Sequence, residues 1–389
     1  MKSTVYFASA KQTYIRSEET LPMKLDVLLN KLEIQRRVKN ESVAIKMHLG
    51  GNVGFSTIHP VLVRRVVEAV LDAGGKPFVT DVSSSCRDAY KRGYSHETLG
   101  CPIFPNGGPE EKYYYTKNHK YKNIEEWFIG GALHDATFLI DLAHIKGHPS
   151  CSYGGAIKNI ALGALIGKTR VAMHDTFHYD QYWFPEMCSD KNKVKEIVQS
   201  CPISGMSVDK TDDSKIHLHL EECNQCGKCL EIAPEGSLRI DKVNFDSFQE
   251  ACAISTYLTL SSFEKSKMTF INIANQITPV CDCFGFTGAN ILPDIGIFGS
   301  DDIVALEQAS LDELAKHKII EENVPTVMKL QKGAKHPLQE LHGKLKDPYV
   351  VVNECEKLGL GVREYELVDI MPLVTPKYGD KIFGHINAH

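Results

Sequence analysis

Three cysteines in the run ECNQCGKCLEIAPEG constrain this chain more than any other feature. Cys223, Cys226 and Cys229 follow one another at C-x2-C-x2-C spacing. This spacing lets one loop place three thiolates around the corners of an iron–sulfur cube. The alternatives are a zinc knuckle and reduced free thiols. Because zinc sites favour paired C-x2-C segments from separate loops, the triple spacing favours the iron–sulfur interpretation.

The fourth cluster ligand is predicted from what this run lacks. In bacterial two-cluster ferredoxins the run continues x3-C-P, and that last cysteine serves the other cluster. Here Ala233 precedes Pro234, while Cys201 upstream begins a CP segment whose own C-x2-C-x2-C is missing. Cys252 and Cys281 are alternative fourth ligands, and a three-cysteine site with an open iron is a further alternative. We therefore predict one [4Fe–4S] cluster with these four ligands: Cys201, Cys223, Cys226 and Cys229.

Composition narrows the class of protein. The 389 residues are 43% hydrophobic and 24% charged, with a formal net charge of −5, which is typical of a globular chain and argues against a nucleic-acid partner. The twelve cysteines lack the dense spacing of a small secreted scaffold, which favours a reducing, oxygen-poor cytoplasm. The N-terminal apolar stretch is too short for a signal peptide, and no run approaches the roughly 18 apolar residues of a membrane span.

Alternating strand and helix patterns predict an α/β fold with a mainly parallel sheet flanked by helices. A strand at 43–47, a helix at 60–73 and a strand at 76–82 form the first βαβ unit. We predict three parts of the chain. They are the first part of the α/β domain (1–185, with a long insertion at 83–130), a small ferredoxin-like α+β module (186–243) and the second part of the α/β domain (244–389).

Two glycine-rich loops that follow predicted strands are candidate ligand sites. The loop 49–57 precedes a helix whose free N–H groups could receive an anion, although a tight strand-to-helix turn is equally consistent. In the second loop, HIKGHPSCSYGGAIKN, His144 and His148 lie with Lys146 and Lys158 around a strand-to-helix turn. This arrangement predicts a cradle for an anionic group, with a solvated basic turn as the alternative.

Three further features could bind a metal. Asp81 ends a predicted strand, where it is either a catalytic or metal-binding carboxylate or a solvated aspartate. His174 and His178 would share a helix face, although such pairs are more often packing or surface residues. Cys281 and Cys283 form a C-x-C pair at a strand end, where they could be a redox pair, metal ligands, a cluster contact or free thiols.

Five segments together resemble a family of uncharacterised iron–sulfur-centre proteins, the domain of unknown function 362. They span most of the chain and are GFSTIHPVLVRRVVEAVLDAGGKPFVTD, HIKGHPSCSYGGAIKNIALGA, the ferredoxin-type segment, CDCFGFTGANILPDIGIFGSDDIVALEQASLDEL and KLGLGVREYELV. The resemblance implies an inserted ferredoxin module, commonly with two full motifs, of which this chain keeps one. It also implies, distantly, a fold like the N-terminal part of the nickel-pincer lactate racemase. Such a resemblance indicates an architecture and not a reaction, because fold does not determine function.

Two functions are consistent with these residues. In the first, a cytoplasmic oxidoreductase or electron-transfer protein passes electrons from the cluster to a small anionic substrate or a partner protein. Lys146 and Lys158 would then bind the anionic group, and His148 would donate or accept a proton. In the second, the cluster is structural or sensory, and the α/β body binds a small anionic ligand or a metal without redox turnover.

A third function, a nickel or zinc enzyme, would use the four histidines His144, His148, His174 and His178. The substrate and the electron partner stay open, as does the question whether the chain is an enzyme. If it is one, we expect an iron–sulfur-dependent oxidoreductase. A homodimer is a possible assembly.

Overall fold

Strands and helices alternate through most of the molecule. The structure, a computed structural model, describes residues 2–286, 288–371 and 383–384. Its strands are β1 (Ser3–Ser9), β2 (Ile15–Arg16), β3 (Ser42–Lys46), β4 (Lys76–Asp81), β5 (Ile103–Pro105), β6 (Tyr114–Tyr121), β7 (Ile124–Gly130), β8 (Phe138–His144), β9 (Lys146–His148), β10 (Ser152–Gly154), β11 (Met206–Val208), β12 (Ile216–Leu218), β13 (Met268–Ala274), β14 (Gly296–Ser300), β15 (Tyr365–Asp369) and β16 (Phe383–Gly384). Its α-helices are α1 (Leu21–Lys31), α2 (Ile34–Arg37), α3 (Pro60–Asp72), α4 (Ser83–Arg87), α5 (His96–Leu99), α6 (Gly131–His134), α7 (Ala156–Gly163), α8 (Gly167–Asp175), α9 (Lys191–Gln199), α10 (Lys228–Ile232), α11 (Lys242–Leu260), α12 (Ile303–Leu314), α13 (Pro337–His342) and α14 (Tyr349–Lys357).

Eight strands form the central sheet, in the order β15-β1-β14-β13-β8-β3-β4-β5. The strand β14 runs antiparallel to both of its neighbours. The other neighbouring pairs in this sheet are parallel. The predicted α/β fold with a mainly parallel sheet flanked by helices is therefore confirmed. The sequence did not indicate the antiparallel strand.

The sheet separates two hydrophobic cores because successive residues of a strand point to opposite faces. In β3, Val43 and Ile45 pack with α1 and α3, whereas Ala44 belongs to the core that contains α7 and α12. The helix α3 begins with a proline at its first turn, and its buried face recurs at helical spacing. That face consists of Leu62, Val63, Val66, Val67 and Val70. Each such buried side chain contributes about 1.5–3 kcal/mol relative to exposure.

The segment predicted as an insertion, 83–130, contributes directly to the sheet. Its strand β5 pairs with β4 and forms one edge of the central sheet. The rest includes two short helices, α4 and α5, and the separate hairpin β6–β7. Only part of this segment therefore lies outside the α/β core.

The segment 186–243 contains α9, the hairpin β11–β12 and the short helix α10. Its apolar residues join a third core, which α11 also lines with Phe245 and Phe248. These elements bring Cys201, after α9, near the loop that carries the three closely spaced cysteines. The division of the chain at 186 and 243 stays a prediction.

The buried residue His336 is expected to make stability depend on pH. Its Nδ1 accepts a hydrogen bond from Leu338 N at 3.2 Å, and its Nε2 donates to Leu311 O at 3.2 Å, so the neutral ring is fully satisfied. Burial lowers the pKa of His336 to about 4, below the value of about 6.5 in an unfolded chain. The stability that the neutral His336 ring contributes is therefore present above pH 6.5 and is lost as the pH falls towards 4.

When the pH falls from 7 to 5, the unfolding free energy of the protein should decrease by roughly 2 kcal/mol because of His336. Urea unfolding of wild type and of His336→Asn at both pH values measures the effect. On acidification, the unfolding free energy of the variant should fall by about 2 kcal/mol less than that of wild type. The exposed residue His96, changed to Asn, is the control. Parallel pH profiles for wild type and His336→Asn would contradict the prediction.

Candidate metal centre and adjoining cavities

A cavity of about 810 Å³ lies at the carboxyl ends of the parallel strands β3, β4 and β8. Ligands of open α/β sheets bind at this edge because the loops that leave the strands converge there. Side chains that follow different strands therefore meet in one place. Those most relevant to chemistry are Lys46, His48, Asp81, Lys146, His148, Lys158, Cys281 and Cys283.

His48, just after β3, is held by a buried carboxylate. Its Nδ1 lies 2.9 Å from Asp81 Oδ2, and Asp81 also accepts from Leu49 N at 2.9 Å. Lys46 Nζ lies 3.1 Å from the other Asp81 oxygen. Burial would raise the pKa of Asp81, but Lys46 and His48 hold that pKa well below its usual range. The carboxylate therefore orients the His48 ring, which also makes a hydrogen bond with Cys281. Asp81 is buried, so the solvated alternative is wrong.

Cys281 and Cys283 lie on a 3₁₀ turn that packs against the loop after β3. The His48 ring nitrogen and both Sγ atoms lie within 4.8 Å of one another. Glycines allow this approach, since a Cβ added to Gly51 would lie 2.8 Å from Cys283 O. Gly285, at φ +67°, packs on the same loop from the other side. The two backbones can therefore approach closely enough to bring the imidazole and the thiols together.

The environment of Cys281 favours its thiolate. Burial alone would raise its pKa, but a hydrogen bond with Cys283, the charges of Lys158 and Lys146, and a hydrogen bond with His148 hold the pKa of Cys281 well below its usual range. Cys283 N also donates to Cys281 Sγ at 3.4 Å. A thiolate is the form that binds metals and attacks electrophiles.

His148 is neutral in this surrounding. Its Nδ1 accepts from Ser150 N at 3.1 Å, which places the ring proton on Nε2, towards Cys281. Burial and the nearby charge of Lys158 lower the pKa of His148 to about 3. The ring is therefore a hydrogen-bond donor to the thiolate at neutral pH and not a cationic acid.

The two predicted anion-binding lysines lie in different surroundings. Lys146 Nζ lies 2.9 Å from Asp282 Oδ2, an oxygen that also bonds His144 Nδ1 at 3.0 Å. Lys158 lines the cavity, and among the described residues no oxygen atom lies within hydrogen-bond distance of its amine. Lys158 is therefore the more available cation for a bound anion.

A second cavity, of about 240 Å³, is lined by all four cysteines that the sequence predicts as cluster ligands: Cys201, Cys223, Cys226 and Cys229. Gln225 and Gly227 adopt left-handed backbone conformations, which turn the loop around the cavity. Gly205 N donates to Cys201 Sγ at 3.2 Å, and Gln225 N donates to Cys223 Sγ at 3.4 Å. Such N–H···S bonds are found around the cysteines of iron–sulfur sites.

The alternative fourth ligands lie elsewhere. Cys252 lies inside α11, near Cys151, and Cys281 lines the larger cavity. The predicted shared helix face of His174 and His178 is wrong, because α8 ends at Asp175 and His178 lies in the following 3₁₀ turn.

The four-histidine arrangement is also not formed. His144 bonds oxygens through both ring nitrogens, and His178 does not line the larger cavity, whereas His148 and His174 do. His48 was not among the ligands predicted from the sequence. The sequence feature that could have indicated it is its position at the end of a predicted strand, just before Gly50 and Gly51.

The two cavities adjoin each other. Glu222 lines the larger one and Cys223, the next residue, lines the smaller one. Lys346 joins them on the other side, since its buried amine donates to Cys223 O at 2.6 Å and to Pro149 O, one residue after His148. A group in the smaller cavity would therefore be close to a ligand in the larger one.

Fold and site together define an α/β protein with a histidine–cysteine group able to hold a metal ion. The chain belongs to the family described as domain of unknown function (DUF362), which matches residues 43–312. No curated protein matches the chain in sequence.

Two solved structures resemble the chain in part. A protein from Thermotoga maritima is 12% identical, with a TM-score of 0.35 over 66% of this chain and 50% of that one. The lactate racemase apoprotein from Thermoanaerobacterium thermosaccharolyticum is 10% identical, with a TM-score of 0.34 over 69% of this chain and 50% of that one. The chain thus spans half the length of each. Within the described residues, no helix is both long and apolar enough to cross a bilayer.

Proposed function

We propose that this protein is an iron–sulfur electron-transfer protein or oxidoreductase with one [4Fe–4S] cluster. The observation that carries the proposal is that the four cysteines predicted as ligands line one small cavity, beside a larger cavity that contains lysine, histidine and aspartate side chains. A [4Fe–4S] cluster supplies single-electron transfer when it is bound. Its four ligands would be Cys201, Cys223, Cys226 and Cys229.

The smaller cavity has the chemistry that such a group requires. The four cysteines line it together with apolar side chains, among them Ile203, Met206 and Leu218. These apolar residues limit water around the sulfur atoms, and the N–H donors of Gly205 and Gln225 stabilise thiolate charge. A zinc ion in the same cysteines is the alternative occupant.

The larger cavity would hold a small anionic ligand. Lys158 offers a cation whose described neighbours are cysteines and not carboxylates, and Lys146 adds positive charge next to it. His148 would hold the proton that it shares with Cys281 close to that ligand. A carboxylate or phosphate group is the ligand chemistry that these cations favour. The electron donor would be a partner protein in an oxygen-poor cytoplasm.

The two cavities share a stretch of backbone. Adjacent residues have Cα atoms about 3.8 Å apart, and the peptide bond from Glu222 to Cys223 links the two cavity walls. An electron that left a cluster in the smaller cavity would reach the larger one along this backbone connection.

Anaerobic iron and sulfide analysis with EPR tests the proposal. Wild type should contain four irons and four sulfides per chain and give a signal after reduction. Cys223→Ser should lose the cluster, and Cys201→Ser should lose it or convert it to a three-iron form, because each removes one ligand. Cys252→Ala, a change at a buried cysteine outside the cavity, is the matched control and should keep all four irons.

Other outcomes would decide against the proposal. Zinc in place of iron, or an unchanged spectrum in Cys201→Ser, would contradict the ligand set. A cluster that cannot be reduced within the biological range, yet whose loss unfolds the segment 186–243, would instead support a structural or sensory cluster in a protein that binds its ligand without redox turnover.

A further inference from the structure

We propose that His48, Cys281 and Cys283 bind a single divalent transition-metal ion of the zinc class, in a site separate from the four-cysteine cavity. The proposal does not rest on an iron–sulfur cluster. It rests on three ligand atoms that converge from two loops, each held by further contacts.

The ligand geometry is close to that of a tetrahedral site. The three candidate atoms lie within 4.8 Å of one another. With zinc–sulfur bonds near 2.3 Å and zinc–nitrogen bonds near 2.0–2.1 Å, ligand atoms of a tetrahedral zinc are about 3.5–3.8 Å apart. A contraction of at most about 1.3 Å would therefore bring the three ligand atoms to these separations.

His48 is prepared for metal binding by its contacts. A metal-ligating histidine usually donates its other ring N–H to a carboxylate, which fixes the ring and its tautomer. Asp81 accepts from His48 Nδ1 at 2.9 Å and is held in turn by Lys46 and by Leu49 N. The ring also makes a hydrogen bond with Cys281, and a metal ion shared by His48 and Cys281 would replace that bond.

The two thiols are prepared in a similar way. Cys281 is buried and accepts from the backbone N–H of Cys283, while Cys283 is exposed to the cavity. Both thiols line the larger cavity, and their Sγ atoms lie within 4.8 Å of each other and of the His48 ring nitrogen. Thiolate and imidazole ligands select zinc-class ions over calcium or magnesium, which prefer oxygen.

The fourth coordination position would face the larger cavity. Catalytic zinc sites keep three protein ligands and leave one position open for water or substrate. Here the exposed side of Cys283 and the amine of Lys158 both border the cavity. An ion in this site would therefore bind an anionic group, such as a carboxylate, through a metal–oxygen bond and an ion pair to Lys158.

Two glycines allow the loop that carries His48 and the loop that carries the two cysteines to approach each other. A Cβ at position 51 would lie 2.8 Å from Cys283 O, and one at position 285 would lie 2.5 Å from Gly51 O. Gly51→Ala should therefore push the histidine and thiol loops apart without removing a ligand. Gly51 is a positioning residue in this site.

Zinc affinity tests the proposal directly. Zn²⁺ is titrated anaerobically into the full chain in competition with a chromophoric chelator, and bound zinc and iron are counted after desalting. Wild type should hold one zinc per chain in addition to any iron. We expect Cys283→Ser and His48→Gln to weaken zinc binding at least 100-fold, and Gly51→Ala to weaken it 10- to 100-fold.

The controls separate this site from the cluster. His174→Gln, which lines the cavity outside the ligand group, should bind zinc like wild type, and so should Cys223→Ser. Because Cys283 is exposed, Cys283→Ser should fold normally, and its melting temperature checks this. The proposal is wrong if wild type retains no zinc, if Cys283→Ser binds zinc as tightly as wild type, or if Cys223→Ser removes the zinc. The proposal would also be wrong if Cys281 and Cys283 formed a disulfide in the metal-free protein kept in a reducing buffer.

Discussion

Lys46→Met is expected to lower the unfolding free energy by roughly 3–5 kcal/mol, because it leaves a buried charge without its partner. Lys46 and Asp81 are 1% and 2% exposed, and their charged atoms lie 3.1 Å apart. The same amine donates to Met47 O at 3.0 Å and to Asn159 Oδ1 at 2.8 Å. A thioether can replace none of these bonds.

Urea unfolding of the variant measures this effect. The double variant Lys46→Met/Asp81→Asn should be more stable than Lys46→Met alone, because it removes the buried carboxylate charge that has lost its lysine partner. Lys193→Met is the control: it breaks an exposed pair with Glu196 and should cost under about 0.5 kcal/mol. A cost of that small size for Lys46→Met, or no recovery in the double variant, would contradict the prediction.

Lys346→Met is expected to lower the midpoint potential of the proposed cluster on the order of 100 mV. The buried ammonium donates to Cys223 O and lies 5.0 Å from the centre of the Phe245 ring. Burial lowers the pKa of Lys346 to about 8, so the amine still carries its charge at pH 7. Reduction adds a negative charge. For an assumed separation on the order of 7 Å and an effective dielectric constant near 20, a cation favours that charge by roughly 2 kcal/mol.

Potentiometry at pH 7, followed by EPR, measures the shift. Lys344 lines the same cavity but is exposed, so Lys344→Met should change the potential much less and in a salt-dependent way. Lys346→Arg keeps the charge and should stay near the wild-type potential. If Lys344→Met and Lys346→Met shifted the midpoint potential equally, the prediction would be wrong, because the buried position of Lys346 near Cys223 would then make no difference.

Local patterns were sufficient for much of the fold. The apolar spacing of α3, with its proline at the start and glycines beyond its end, predicted a helix that differs from the observed one by one residue. The buried runs of β8 and β13 predicted strands in a mainly parallel sheet. The direction of β14 was not predictable, because an apolar run specifies a strand but not the direction in which it pairs.

The two candidate sites differ in how much the sequence could reveal. Cys223, Cys226 and Cys229 lie on one loop, so their spacing alone predicts that they surround one group. His48 and Cys281 are more than two hundred residues apart, and no local spacing connects them. The predicted helix face of His174 and His178 failed because α8 ends between them, and helix ends depend on tertiary contacts.

The sequence by itself determined the α/β pattern and the short-range cysteine motif, because both depend on residues within a few positions of one another. Tertiary structure decided that Cys201, not Cys252 or Cys281, shares a cavity with that motif. It also decided that His48 faces Cys281 and Cys283. The physical reason is that parallel strands bring their carboxyl ends to one edge, whatever their separation in sequence, and that glycines at 51 and 285 let two distant backbones approach closely.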